Sequence, residues 1–156
     1  MERTDIVIGG GGMVGATLAL ALAQGGLKVV VCDPVPPAAA TDAKFDGRVS
    51  ALSYSSQRMF EALGVWPRLE PDAQPILDIL VTDAPLGGTP SPFSLHFDSD
   101  EIGRPMGAIA ENRHIRRALF AAMDAERNIT LIAPAALTGL DEQGGKIVAS
   151  LSNGQE

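Results

Sequence analysis

The chain has 156 residues, 46% of them hydrophobic, which is enough to bury a core and to form about one domain. A net charge of −7 and an aromatic content of only 4% disfavour a nucleic-acid partner, which would need a basic surface and stacking rings. The one cysteine, Cys32, excludes an internal disulfide and a multi-cysteine metal cluster, and its apolar neighbours predict a buried side chain.

An apolar stretch near the amino terminus, MVGATLALALA, has the length of a signal-peptide core. The preceding MERTD carries two acidic residues against one arginine, which is not typical of a signal peptide. The stretch is also well short of the ~20 residues that cross a membrane. We therefore expect a soluble, cytoplasmic protein. Any contact that it makes with the inner membrane is expected to be peripheral.

The first 33 residues predict a strand, a helix and a second strand. DIVI is typical of a buried parallel strand, and MVGATLALALAQ predicts a nearly all-apolar helix that ends at Gly25 and Gly26. LKVVVCD predicts another buried strand. The order is that of a βαβ unit with a glycine-rich turn after its first strand.

The spacing GxGxxG fits this turn in one register only, with Gly10, Gly12 and Gly15. In that register Gly10 makes the tight turn, Gly12 lets a pyrophosphate approach the main chain, and Gly15 lets the helix pack closely on the strand. Asp33 ends the second strand, where a carboxylate accepts a hydrogen bond from a ribose hydroxyl. The alternative is a glycine-rich turn with a solvated aspartate, and the unit by itself does not distinguish FAD from NAD.

The pattern after Asp33 predicts a Pro/Ala-rich loop, DPVPPAAATDAK, and a helix over about residues 49 to 63 that ends at Gly64. ILDILVTD and FSLHF are predicted strands joined by the turn APLGGTPSP. A helix over residues 112 to 126 and a strand, ITLIAP, follow. The last predicted element is a hairpin, ALTGLDEQGGKIVASL, that turns at its paired glycines.

Several conspicuous side chains are interpreted as structural. His96 and His114 lie apart, without a cysteine or carboxylate at metal-ligand spacing, so no metal site is predicted. The basic run RHIRR falls on a helix whose apolar face includes Ile115 and Leu119, so most of its charges are expected on the solvated face. Trp66 is expected to pack in the core.

Three stretches carry a resemblance to one family: the amino-terminal unit, FDGRVSALSYSSQRMFEALGVWPRL and GAIAENRHIRRALFAAM. They resemble the flavin-dependent aromatic hydroxylases of ubiquinone biosynthesis, the 2-octaprenyl-6-methoxyphenol hydroxylase type, within the p-hydroxybenzoate hydroxylase-like superfamily. The resemblance runs along most of the chain and selects FAD over NAD. It implies an α/β fold, a Rossmann-like FAD-binding domain with a β-hairpin or meander, incomplete relative to the full family fold.

The resemblance also implies a division of the chain. Residues 1–75 and 105–156 would belong to the FAD-binding domain, and residues 76–104 would begin the sheet of a substrate domain. The family continues with an Ala-Asp-Gly and a Gly-Asp-Ala segment that are not found here, so we expect the amino-terminal piece of a longer enzyme. In this piece the strand from Lys146 to Leu151 would be an unpaired edge that invites self-association.

Three further cofactor contacts are implied by the resemblance. Arg48, the arginine of DGRVSAL, would reach the bound FAD, while Asn112 and Arg113 would approach the flavin side. A guanidinium can pair with phosphate or carbonyl oxygens, and a helix start has unpaired groups near an anion. The alternatives are a surface arginine at position 48 and an N-cap at Asn112. At Gly9 the family commonly has an apolar β-former, so we expect a looser end to the first strand.

The resemblance implies a monooxygenase in which NAD(P)H reduces the flavin and O2 forms a flavin hydroperoxide. The distal oxygen would pass to the ring of a polyprenyl phenol. Because the cofactor carries this chemistry, no catalytic residue is assigned. The piece is expected to be inactive alone, since it lacks the parts of the family fold that would close over the flavin. Two other hypotheses stand beside it: a flavin oxidoreductase of the same fold that does not activate oxygen, and a nonenzymatic accessory subunit of a ubiquinone-biosynthesis complex.

Overall fold

The computed structural model describes residues 3–41, 47–83, 86–89 and 91–156. The described strands are β1 (Ile6–Gly9), β2 (Val29–Cys32), β3 (Val49–Ser53), β4 (Ala73–Ile76), β5 (Asp78–Thr82), β6 (Ser94–Asp98), β7 (Gly107–Glu111), β8 (Ile129–Ile132), β9 (Leu137–Gln143) and β10 (Lys146–Leu151). The described helices are α1 (Met13–Gln24), α2 (Pro37–Thr41), α3 (Tyr54–Ala62), α4 (Trp66–Leu69), α5 (Ser99–Ile102) and α6 (Asn112–Asp124), with a 3₁₀ turn, Glu70–Asp72, after α4.

A three-stranded parallel sheet in the order β1-β2-β8 forms the centre of the fold. Val29 of β2 lies opposite Ile6 of β1 on one side and Ile129 of β8 on the other. The central strand VVVC is almost entirely buried, as expected for an apolar strand with a neighbour on each side. The predicted βαβ unit and the predicted strand ITLIAP are therefore confirmed.

The main core lies between this sheet and helices α1, α3, α4 and α6. Helix α1 contributes small residues, and α6 contributes Ile115 and Leu119, both essentially inaccessible to solvent. Trp66 is buried in the same cluster, which confirms its predicted packing role. The small side chains of α1 allow it to lie close to β2, because no bulky group separates the two backbones.

The opposite face of the parallel sheet is covered by the chain around the β9–β10 hairpin. Cys32, Ala135 and Leu151 are buried together there, and burial raises the pKa of the Cys32 thiol. A Cβ on Gly9 would stand 3.3 Å from Leu137 Cδ2, and Gly9 still pairs with Cys32 in the ladder. The strand is therefore paired to its last residue, and the expectation of a looser strand end stays a prediction.

A second, antiparallel sheet has the order β3-β7-β4 and corrects one prediction. Residues 49–53, predicted as the start of a helix, form β3 and pair with β7. The helix α3 begins only after Ser53, whose Oγ accepts a hydrogen bond from Ser56 N at 3.2 Å. Gly64, at φ +70°, follows the end of the helix as predicted. Strand pairing with a distant segment outweighs the local helical pattern of VSALS.

The predicted loop after Asp33 contains a short helix, α2, which also corrects the sequence analysis. Pro37 supplies the fixed φ of a first helical residue, and the alanines that follow favour helix. Thr41 Oγ1 donates to Pro37 O at 3.0 Å. Residues 42–46, including Asp46 of the second stretch of the resemblance, lie outside the described residues, as do 84, 85 and 90 of the predicted turn.

The segment ILDILVTD is divided between two sheets instead of forming one strand. Residues up to Ile76 belong to β4, which pairs with β7, whereas β5 begins at Asp78 and pairs with β6. Most positions of the β5–β6 ribbon are exposed, including Leu80 at 62% and Phe97 at 50%. The pairing of ILDILVTD with FSLHF is confirmed, and the substrate-domain assignment of residues 76–104 remains a prediction.

The carboxyl-terminal hairpin turns at Gly144 and Gly145, with φ of +60° and +74°, as predicted. Within the described residues β10 has one partner strand, β9, so its other side is an edge. No helix in the described part of the chain is long and apolar enough to cross a membrane.

Candidate cofactor-binding site

The glycine-rich turn lies at the carboxyl end of β1, where the chain enters α1. Gly10 has φ +110°, and its N–H donates to Cys32 O at 2.7 Å. Gly12 is the N-cap of α1 with an extended backbone, and no side chain caps the helix. The first turn of α1 also contains no acidic residue, so no side-chain carboxylate of that turn offsets the positive end of the helix dipole.

The three motif glycines meet different surroundings. A Cβ on Gly15 would stand 1.9 Å from Gly10 O, so the helix can pack on the turn only with glycine at that position. A Cβ on Gly12 would meet no described atom within 4 Å. Gly10 needs glycine for its positive φ. The space in front of Gly12 is therefore not required by the fold and is available to a ligand.

Asp33 follows β2 and is tied to the turn by its carboxylate. Its Oδ2 accepts from Gly11 N at 2.6 Å, and its Oδ1 accepts from Val35 N at 2.7 Å. The side chain is half-buried, so the alternative of a fully solvated aspartate does not describe it. The turn, the start of α1 and Asp33 thus form one hydrogen-bonded unit at the carboxyl ends of the parallel strands.

Arg48 and Asn112 are brought together by the pairing of β3 with β7. Val49 lies opposite Glu111, and Asn112 N donates to Arg48 O at 3.1 Å. Arg48 is exposed, as both a ligand-binding arginine and a surface arginine would be. The structure places these two residues side by side, and their contact with a cofactor stays a prediction.

The N-cap interpretation of Asn112 is wrong. Glu111, the last residue of β7, occupies the cap position with an extended backbone, and Asn112 is already the first residue of α6. Asn112 Oδ1 instead accepts from Ser50 Oγ at 2.6 Å, which leaves the amide NH₂ on the other side of the group. Arg113 Nε donates to Glu111 Oε2 at 2.5 Å, so each predicted site residue at this helix start has a fixed neighbour.

His114 lies beside two carboxylates, although the sequence analysis found no carboxylate at metal-ligand spacing from it. Its Nδ1 is 2.7 Å from Asp72 Oδ2 and its Nε2 is 3.6 Å from Glu111 Oε2. His96 pairs with Asp78 at 2.9 Å on the exposed ribbon. In the described parts of the chain, no group of three or more His, Cys, Asp or Glu residues is arranged to hold a metal ion.

Sequence reasoning missed Gly11, Ser50 and Glu111 as parts of the site. Gly11 occupies the variable position of GxGxxG, so the motif carries no information about its N–H group. Ser50 and Glu111 reach the site through the β3–β7 pairing, whose two strands were not predicted. The partial alternation of apolar and small polar residues in VSALS is the one local pattern that could have predicted strand β3.

The residues present fit the pyrophosphate and ribose of a dinucleotide. The open space at Gly12 faces an uncapped helix start, which is a favourable place for an anion. A carboxylate has about four lone-pair positions, so Asp33 retains acceptor capacity after its two backbone bonds. Arg48, just before β3, and Asn112, the first residue of α6, add donors suited to phosphate or carbonyl oxygens.

Comparison with known proteins gives a family match and close relatives. Residues 5–84 match the model of the family described as FAD dependent oxidoreductase. The chain is 44% identical over 151 residues to ubiquinone hydroxylase UbiL of Rhodospirillum rubrum, covering 97% of this chain and 34% of that protein. It is 34% identical over 142 residues to 3-demethoxyubiquinol 3-hydroxylase of Escherichia coli, covering 89% of this chain and 35% of that protein. The chain thus spans about a third of the length of these curated relatives.

Two solved structures, described as a monooxygenase and a probable monooxygenase, share the fold. The p-nitrophenol 4-monooxygenase PnpA of Pseudomonas putida has a TM-score of 0.73 at 16% identity, covering 97% of this chain and 37% of that chain. The probable FAD-dependent monooxygenase pqsL of Pseudomonas aeruginosa has a TM-score of 0.69 at 17% identity, covering 99% and 40%. At these identities the similarity shows the fold, and it confirms the predicted Rossmann-like α/β architecture.

Proposed function

This chain belongs to the FAD dependent oxidoreductase family, and from that premise we propose that its protein is an FAD-dependent monooxygenase of ubiquinone biosynthesis. The proposed reaction is hydroxylation of the ring of a polyprenyl phenol, with NAD(P)H as reductant and O2 as oxidant. The observation that carries the proposal is the glycine turn. At its end, Gly12 begins α1 with free space beside it and with no side chain capping the helix. The substrate class is inferred from the two relatives named as hydroxylases of ubiquinone compounds.

The residues of the site have separate proposed roles toward FAD. The turn at Gly10 and Gly12, with the N–H groups of α1, binds the pyrophosphate, and Gly15 keeps the helix close enough to do so. Asp33 accepts from the adenosine ribose. When bound, FAD supplies the redox chemistry, taking electrons from the reduced nicotinamide and delivering oxygen to an electron-rich ring.

The second sheet is proposed to position the flavin end of the cofactor. Arg48 is exposed and able to pair with phosphate or carbonyl oxygens. Asn112 has its carbonyl oxygen occupied by Ser50, so its NH₂ group is the part that can donate to FAD. Arg113 is held by Glu111, which restricts the guanidinium to fewer orientations.

The partners and location belong to the same proposal. A polyprenyl tail partitions into lipid, so we propose that the protein works in the cytoplasm at the surface of the inner membrane, within or beside a ubiquinone-biosynthesis complex. The 156-residue chain alone is proposed to self-associate through the free side of β10 and to hold FAD weakly. Sedimentation of the isolated chain as a monomer with tight, stoichiometric FAD would contradict that part.

The full-length protein provides the test of the function. A yellow protein with a flavin spectrum, whose NAD(P)H oxidation requires both O2 and an added polyprenyl phenol, supports the monooxygenase. Flavin binding without phenol-dependent oxygen consumption favours the oxidoreductase that does not activate oxygen. A colourless protein without affinity for FAD contradicts the proposal and favours the accessory subunit.

A further inference from the structure

Four consecutive glycines, Gly9 to Gly12, run from the last residue of β1 to the N-cap of α1, and two hydrogen bonds to the end of β2 hold the turn that they form. Gly10 N donates to Cys32 O at 2.7 Å, and the next amide, Gly11 N, donates to Asp33 Oδ2 at 2.6 Å. Glycine loses more backbone freedom on ordering than any other residue, so such a turn needs specific contacts to keep one conformation.

The contact at Gly11 differs from the others in the turn. It is made by a charged side chain, whereas the Gly10 N–H is bound by the backbone carbonyl of Cys32, the last residue of β2. Gly11 is buried, and Asp33 is among the groups nearest to it, so removal of the carboxylate would take the partner from this N–H and open the amide to solvent. The second oxygen of Asp33 accepts from Val35 N at 2.7 Å, which fixes the orientation of the carboxylate itself.

We propose that Asp33 is a positioning residue for the glycine turn, holding Gly11 N–H so that the turn has its nucleotide-binding conformation before the cofactor binds. This role is separate from the predicted ribose contact of Asp33. Its consequence for FAD affinity rests on the proposed function, but the bond itself exists without any ligand. Preorganisation of the turn reduces the ordering cost of binding.

The chain contains a matched control for this bond. Asp5 Oδ2 accepts from Lys28 N at 2.8 Å, so here too a carboxylate accepts from a backbone amide. This bond joins the residues that precede β1 and β2. Asp5 precedes β1, at the opposite end of the sheet from the glycine turn. Substitution of Asp5 therefore removes the same kind of contact at a place that does not touch the turn.

The experiment measures hydrogen exchange at the Gly11 amide in the ligand-free, full-length protein. In Asp33→Ala this amide is expected to exchange about tenfold faster or more, the size expected for loss of a hydrogen bond to a charged group. Asp33→Asn is expected to show a smaller increase, because its amide keeps one acceptor oxygen for two backbone donors. Asp5→Ala is expected to accelerate exchange at Lys28 and leave Gly11 unchanged.

The outcomes separate this inference from the proposed function. Unchanged Gly11 exchange in both Asp33 variants would overturn the positioning role and leave the ribose contact as the explanation of Asp33. If Asp33→Ala does not fold, Asp33→Asn carries the measurement. Because the readout is made without FAD, a protein that does not bind FAD would contradict the proposed function and leave this result standing.

Discussion

The glycine turn presents backbone N–H groups from a short stretch of chain, whereas the Arg48–Asn112 pair presents side chains from segments far apart in the sequence. The turn is shaped by steric limits, since a Cβ on Gly15 would lie 1.9 Å from Gly10 O. The pair is shaped by strand pairing, through Asn112 N and Arg48 O at 3.1 Å.

This difference affects how each half responds to substitution. In a site built from backbone groups, an added Cβ either collides with a neighbouring atom or ligand or leaves binding unchanged, and intermediate effects on affinity are few. A side-chain site loses one donor at a time, and a neighbouring group or water replaces part of what is lost. Changes in the turn should therefore act in an all-or-none way, and changes in the pair should act gradually.

The largest effect is expected for Gly12→Val. The Val side chain occupies the space proposed for the pyrophosphate, so the full-length protein should lose FAD retention, with affinity reduced by roughly 100-fold or more. The fold should persist, at a cost of about 1 kcal/mol for a poorer N-cap residue. Flavin absorbance of the purified protein measures the loss. The control is Gly139→Val on β9, where an added Cβ would meet Ser150 Cβ at an ordinary contact distance of 4.0 Å. A variant as yellow as the parent would show that the assigned glycine register is wrong.

Gly15→Ala should act on the fold itself. Because its Cβ would meet a backbone oxygen, the helix must shift, and a destabilisation of about 1–3 kcal/mol or more is expected. Thermal unfolding without added FAD measures it, with Gly139→Ala as the comparison. Equal melting temperatures for the parent and Gly15→Ala would contradict the close packing of α1 on the turn.

Arg48→Ala tests the side-chain half. Loss of a charge-assisted bond of about 1.5–3 kcal/mol should weaken FAD binding roughly 10-fold to 100-fold. Arg58→Ala removes another exposed arginine, one that pairs with Glu61 on α3, and should leave FAD affinity unchanged. Equal affinities for the two variants would favour the interpretation of Arg48 as a surface arginine.

The smallest effect is expected for Ser50→Ala. Without the Ser50 hydroxyl, Asn112 is free to turn, and a neutral hydrogen bond of about 0.5–1.5 kcal/mol corresponds to a reduction in FAD affinity of roughly 2-fold to 10-fold. A double-mutant cycle with Asn112→Ala should be non-additive, since Ser50 acts through Asn112. Ser94→Ala, on the exposed ribbon, is the control. Full additivity would show that Ser50 does not position Asn112 for the cofactor.

The local residue pattern was sufficient to predict the elements whose contacts are made by residues close in the sequence. Helix α1 begins at Met13 and ends at Gln24, as the apolar run and the following glycines predicted. The hairpin turns at Gly144 and Gly145, where the positive φ of both residues suits glycine. In these cases the residues that specify the element lie in it or directly beside it, so the local pattern and the folded structure agree.

Tertiary structure decided the elements and contacts that join distant segments. VSALS becomes a strand because β7 lies beside it, and the same pairing brings Ser50 to Asn112 and removes Asn112 from the cap position. The glycine turn and the acid at the end of β2 were predictable from local residue order, because each is encoded within a few neighbouring positions. Only the folded chain shows that this acid holds Gly11, because a bond between residues 22 positions apart depends on how two parallel strands are aligned.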